Sequence, residues 1–221
     1  GLLLEKNLLP ARDAFNNTSQ DIFWQELGLQ SRRKGELCIS LFCYDDAPIE
    51  DLLSAWVISD VPMRVLVPQH SVNNAIGMFF GVDLSTAGQV LQSGKLQVCI
   101  IPFLAQDKYD QLLWACDINF VRGEDSFVRA QWAARVFIWN IYPQAEQSHR
   151  LKLEAYLSLY TERMSPEMSA AVFSLWNAWN SNGQMINAWS VFAAQMSALT
   201  GYGNNWIRQL LPIGDLASNL V

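Results

Sequence analysis

The chain is short of charge, of basic residues in particular, and of histidine. Only 16% of its 221 residues are charged, and 15 Lys and Arg face 21 Asp and Glu, a formal net charge of -6. Nucleic-acid binding needs Lys and Arg clustered over phosphates. The single basic run, Arg32-Arg33-Lys34 beside Gly35, reads as a solvated loop, so no nucleic-acid partner is expected. The two histidines, His70 and His149, have no His or Cys at i+3 or i+4, and no metal site is expected. The four cysteines, at 38, 43, 99 and 116, show no CxxC spacing, and three sit in apolar runs where a thiol behaves as a small hydrophobe. Buried, reduced thiols favour a cytoplasmic location.

Other absences narrow the function. The longest apolar stretch, 96–105, contains Gln97 and Pro102 and is far short of the roughly 20 residues of a membrane span. Gly1-Leu2-Leu3-Leu4 is interrupted at once by Glu5 and Lys6, so it does not read as a signal peptide, and no membrane role is expected. There is no GxSxG elbow, no GxGxxG and no GxxxxGK[ST], which argues against α/β-hydrolase chemistry and against the common dinucleotide and triphosphate loops.

What the sequence has is core-forming material: 51% hydrophobic residues and nine tryptophans, enough for a substantial core. Residues 8–27 carry apolar positions at helical spacing, with an Asn-Asn-Thr-Ser cluster dividing two short helices and Gly28 ending the second. The run "ELCISLFCY" (36–44) is apolar almost throughout, as expected of a strand covered on both faces. Strand and helix then alternate: "MRVLVP", a helix over 69–80, "KLQVCIIPF", "QDKYDQLLWAC", "INFV", a helix over 125–134, and "VFIWNIY". This order predicts βαβ units, a parallel sheet and a Rossmann-like α/β fold. From about Glu146 only helical periodicity remains, which gives a helical C-terminal tail whose Trp176, Trp179 and Trp189 read as core. No linker is visible, and residues 1–221 read as one domain.

Ligands of open parallel sheets bind at the carboxyl ends of strands. That rule selects Phe42–Asp45, Pro68–His70, Pro102–Tyr109, Arg122–Ser126 and Tyr142–Gln144. In "RGEDS", Gly123 permits a tight turn, Asp125 or Ser126 can cap the next helix, and free backbone N–H groups make an anion site. Arg122 adds a forked cation, while Glu124 and Asp125 suit amides or sugar hydroxyls better than phosphate. The plainer alternative is a helix cap, Asp125, paired with Arg122. Phe42, Tyr44, Phe103, Tyr109 and Tyr142 can flank a flat base, though each taken alone also suits a core.

"DINFVRGEDSFVRAQWA" with "FIWNIYPQ" closely resembles the signature of the arginine rhamnosyltransferases of bacterial elongation factor P, the EarP family, and "SLFCYDD" resembles its upstream aromatic strand. The likeness runs from "LLPARDAF" to the helical tail. It implies a GT-B glycosyltransferase that moves rhamnose from dTDP-β-L-rhamnose to an arginine of the translation factor, without a metal or other cofactor. This chain then looks like the C-terminal, donor-binding half, with the catalytic aspartates on an N-terminal half, so no residue here is assigned as the base. Phe42 and Tyr44 match positions that contact the nucleotide sugar, and Phe103, Gln106 and Tyr109 those that hold thymine. Arg122, Glu124, Asp125, Ser126 and Tyr142 match positions around diphosphate and sugar. Asn140 stands where histidine is expected and Tyr109 where phenylalanine is usual. A non-catalytic nucleotide-sugar-binding or interaction domain, or a donor domain for another nucleotide sugar, are the alternatives.

Overall fold

The computed structural model describes residues 2–69, 73–84, 86–144, 148–181, 183–217 and 219. Two helices, α1 (Leu8–Ala14) and α2 (Asn17–Glu26), precede a central strand β1 (Leu37–Leu41). Asn16 caps α2 by accepting from the Ser19 N–H at 3.0 Å, so the Asn-Asn-Thr-Ser cluster does divide two helices. Then follow α3 (Ile49–Val57), β2 (Met63–Pro68), α4 (Asn73–Phe80), β3 (Val90–Ser93), β4 (Leu96–Ile101), α5 (Gln106–Ala115), β5 (Ile118–Arg122), α6 (Asp125–Trp132) and β6 (Val136–Asn140). The tail is α7 (Ser148–Thr161), α8 (Pro166–Ser181), α9 (Met185–Ala194) and α10 (Met196–Leu210), closed by a 3-10 turn.

The six strands lie in the order β3-β4-β2-β1-β5-β6, all parallel except β3, which runs antiparallel along the edge of β4. The sheet is thus parallel, as the sequence order predicts, with one antiparallel edge strand that the sequence reading did not pick out. The β3 segment alternates exposed and half-buried residues over only four positions, too short and too wet to stand out as an apolar run.

Side-chain alternation along the strands builds two cores. Ile39, Leu41, Val65, Val67, Val98 and Ile100 point into the larger cluster. Cys38, Leu66, Cys99 and Ile101 point the other way, against Phe23 and Trp24 of α2 and Leu112 and Ala115 of α5. The larger core is finished by the tail. Trp189 meets Trp56 edge-on at 5.5 Å, Trp179 meets Phe120 at 4.9 Å, and Trp176 meets Phe137 at 5.5 Å. All three tail tryptophans are buried, as the sequence predicts. Edge-on contacts of this kind add roughly 0.5–1.5 kcal/mol each beyond the apolar area they bury.

Charge is sequestered at the amino ends of the strands. Arg64 and Glu36, each 3% exposed, pair at 3.1 Å, and Arg64 also donates to the Gln30 carbonyl. Arg32 forks onto Asp117, which in turn accepts from the Cys38 N–H. The basic triplet is therefore a solvated loop only at Arg33 and Lys34; Arg32 is half-buried and structural.

All four cysteines are buried, and Cys38, Cys99 and Cys116 are free thiols. Burial pushes the Cys38 thiol up to about 12 and Cys99 to about 11, and raises Cys43 and Cys116 as well. Below the ordinary value of 9.0 these thiols stay protonated whether the chain is folded or not. Between that value and about 11 to 12 the unfolded chain gives up protons that the native chain keeps, so stability falls as pH rises through this window. At pH 8 a thiol reagent should label none of the four until the protein is unfolded; labelling of the native protein at the unfolded rate would contradict this packing.

Candidate functional site

The strand order makes β1 the point of reversal. From β1 the chain moves outward to β2 and β4, then returns to β5 on the other flank of β1 and continues to β6. Right-handed crossovers in opposite directions carry their helices to opposite faces, so the connections leaving β1 and β5 diverge and open a crevice above their carboxyl ends. A groove of about 470 Å³ lies there, lined by Phe42, Tyr44, Pro68, Phe103, Leu104, Ala105, Gln106, Tyr109 and Arg122 through Ser126. Grooves of about 540 and 560 Å³ occur beside α1, α2 and α5 and beside α6; strand topology, not volume, distinguishes the one at the crevice.

Nine of the ten residues singled out in the sequence line this groove, and the tenth, Tyr142, packs its ring edge-on to Tyr44 at 5.5 Å. Phe103 is 72% and Tyr142 61% exposed and form the rim; Phe42, Tyr44 and Tyr109 are half-buried, and Tyr109 packs against both cores with its hydroxyl enclosed. Pro68 joins the lining, whereas its neighbour His70 lies outside the described residues.

Arg122, the last residue of β5, lays its guanidinium 4.2 Å from the Phe42 ring centroid and 5.1 Å from that of Tyr44, and donates to the Cys43 carbonyl at 3.1 Å. Two aromatic faces and one backbone acceptor hold the planar fork in place. Gly123 follows with φ of +63°, a left-handed conformation that glycine adopts freely. A Cβ there would come within 3.1 Å of the Tyr44 hydroxyl. The Gly123 carbonyl accepts from the Trp139 indole at 2.8 Å.

The turn then enters α6 without a side-chain cap, as α5 begins at Gln106 after Ala105 without one. Neither Asp125 nor Ser126 caps α6, contrary to expectation. The cap position is Glu124, the Ser126 hydroxyl turns back to the Arg122 carbonyl, and Asp125 bonds to Arg129 at 3.2 Å rather than to Arg122. Two uncapped helix starts therefore face one groove, with first-turn N–H groups and the positive ends of two helix dipoles converging. Glu124 is exposed and meets Lys152 at 2.6 Å, a contact worth little in solvent. Burial raises the Tyr109 phenol well above its ordinary range and raises Tyr44 as well, so both stay protonated.

Three supporting residues lie outside the ten site candidates, and the sequence marks Asn140 only as a departure from the family pattern. Asn140 accepts from the Tyr44 N–H at 2.8 Å, and Asn180 of α8 caps the end of β6 by bonding the Trp139 carbonyl and the Ile141 N–H. Arg129 pairs with buried Asp110 as well as with Asp125. The Asp125/Arg129 spacing of i, i+4 was a readable signal; the Asn pair had none.

The groove thus offers aromatic faces, a fixed guanidinium, two helix starts and exposed carboxylates, a set suited to a ligand that joins a flat ring, an anion and hydroxyls. Comparison with known proteins gives the family. The family model described as elongation-factor P (EF-P) rhamnosyltransferase EarP matches residues 1–221. The chain is 40% identical over 223 residues to the protein-arginine rhamnosyltransferase of Pseudomonas putida and 39% identical to that of Pseudomonas aeruginosa. It is matched over its whole length but spans only 59% of either relative. A solved structure described as the structural basis for EarP-mediated arginine glycosylation of translation elongation factor EF-P superimposes with a TM-score of 0.91 at 38% identity, covering 100% of this chain and 71% of that one. The chain belongs to the EarP family.

Gly123→Ala is expected to cost roughly 1–2 kcal/mol through the left-handed backbone and to displace the Tyr44 ring. Urea unfolding measures the first, and an unchanged midpoint would show that the turn is not held as described.

Proposed function

We propose that this chain is the donor-binding half of a protein-arginine rhamnosyltransferase, gripping dTDP-β-L-rhamnose while the rest of the protein presents an arginine of elongation factor P. The observation that carries this reading is the convergence of Arg122, stacked on Phe42 and Tyr44, with the uncapped starts of α5 and α6 at the sheet's point of reversal. Family membership supports the reaction class. In this assignment Phe103, Gln106 and Tyr109 receive the base, Arg122 and the 125–127 turn the diphosphate, and Glu124, Asp125 and Tyr142 the sugar.

A guanidinium is protonated at ordinary pH and a poor nucleophile, so a carboxylate must orient it and remove a proton as the carbon–oxygen bond to diphosphate breaks. We assign that base to polypeptide outside this chain, an N-terminal GT-B domain. Stabilisation of the departing diphosphate falls to Arg122 and the helix N–H groups, with no metal in the scheme. The reading places residues 1–221 as one donor-binding domain of a cytoplasmic bacterial enzyme; no helix among the described residues is long and apolar enough to cross a membrane.

Calorimetry with dTDP-rhamnose tests the donor assignment. Arg122→Ala and Asp125→Ala should each weaken binding by about tenfold or more with little loss of unfolding free energy, because both side chains lie on the groove. No heat from a folded protein at millimolar donor sinks the reading. Added to the intact enzyme and elongation factor P, the donor should yield a mass gain of one deoxyhexose on an arginine; a non-catalytic sensor would give none.

A further inference from the structure

Behind the groove, between the starts of α5 and α6, lies a guanidinium to which the reaction scheme gives no part. Arg129 is 6% exposed, yet it comes from the second turn of α6 and reaches groups on both groove walls. Its Nη1 donates to Asp110 Oδ2 of α5 at 2.7 Å, its Nε donates to Asp125 Oδ2 at 3.2 Å, and its Nη2 meets Glu5. Gln106 sits against the same fork. Only with its amide oxygen turned to Arg129 are both satisfied, and it then accepts from Nε at 3.0 Å and from Nη2.

These contacts are unequal in what they fix. Asp110 is 7% exposed on its side chain and its Oδ1 has no other protein partner, so it is bound to Arg129 by the cost of leaving either charge buried alone. Glu5 and Asp125, at 65% and 76%, are exposed, and such pairs hold a side chain only weakly by themselves. The buried pair therefore sets where the guanidinium is, and the exposed groups take their positions from it. Gln106 is exposed and lines the groove, as does Asp125. Each is the first residue of its helix, on opposite walls.

We propose that Arg129 is a positioning residue that orients both recognition groups at once: it holds the Gln106 amide oxygen away from the ligand, so that its NH2 faces the groove as a donor, and it aligns Asp125 as an acceptor. Resting on the donor reading above, this makes Gln106 select a base that offers a carbonyl oxygen, as pyrimidine O2 or O4 does, over one that offers an N–H at that point. It also couples the base end of the groove to the sugar end through one side chain.

The test is calorimetric titration of this chain with dTDP, for wild type, Gln106→Glu, Gln106→Ala, Arg129→Lys and the double variant Arg129→Lys/Gln106→Ala. Gln106→Glu keeps acceptors for Arg129 but has no donor to present, so its dTDP affinity should fall by about tenfold. Arg129→Lys keeps the charge but loses the fork and should weaken dTDP similarly. Gln106→Ala should then add no more than about twofold on that background, since coupled residues are not additive. Wild-type affinity in Gln106→Glu, or full multiplication of the Arg129→Lys and Gln106→Ala losses, overturns the inference. Gln106→Glu changes an exposed position and decides the matter alone where Arg129→Lys does not fold. Failure of the wild-type chain to bind dTDP is a different result: it removes the donor reading, and this inference with it.

Discussion

The structure depends on one topological constraint, that β1 and β5 are neighbours whose outgoing chains part company. It lets the aromatic exit of β1, Phe42 and Tyr44, meet the cationic exit of β5, Arg122, with no sheet or helix between them. Were β1 and β5 not adjacent, at least one strand would separate these two exits along the rim. The sheet is also polarised by it. Ion pairs that close the fold, Arg64 with Glu36 and Arg32 with Asp117, sit at the amino ends of the strands. The carboxyl ends are left with uncapped helix starts and open aromatic rings. Groups whose hydrogen bonds are satisfied internally serve stability, and groups left with spare capacity face the groove.

The tail belongs to both halves of that division. Its tryptophans complete the larger core, and Asn180 of α8 reaches the end of β6, where it meets Asn140, the residue that holds the Tyr44 N–H. The position where the family resemblance leads one to expect histidine thus carries a backbone-bracing amide. An asparagine at this depth, 4% exposed, needs its donors and acceptor satisfied, and the tail helix supplies the missing partner.

Much of this was legible in the sequence because the period-2 and period-3.6 patterns do not compete here. Strands β1, β2, β4, β5 and β6 are buried on both faces and read as apolar runs, and the rule that ligands sit at strand ends brings together nine of ten chosen residues. What could not be read were features decided by distant partners. The β3 edge borrows its structure from β4. Asp125 does not cap α6 because it is the first residue inside the helix, where its carboxylate meets Arg129. The pairing of Arg129 with Asp110 joins residues 19 apart in sequence on two helices, and neither residue type announces that it will be buried. Arg32, inside a basic triplet, looked like its exposed neighbours until Asp117 was in place.

One further consequence follows from the burial of all nine tryptophans. The protein's ultraviolet emission comes from indoles in a dry interior and is expected at short wavelength. Trp139 alone among them donates its indole hydrogen to the glycine of the Arg122 turn. A molecule that shifts that turn would change the surroundings of one emitter in nine, which gives this chain a built-in optical gauge of its own groove without any attached dye.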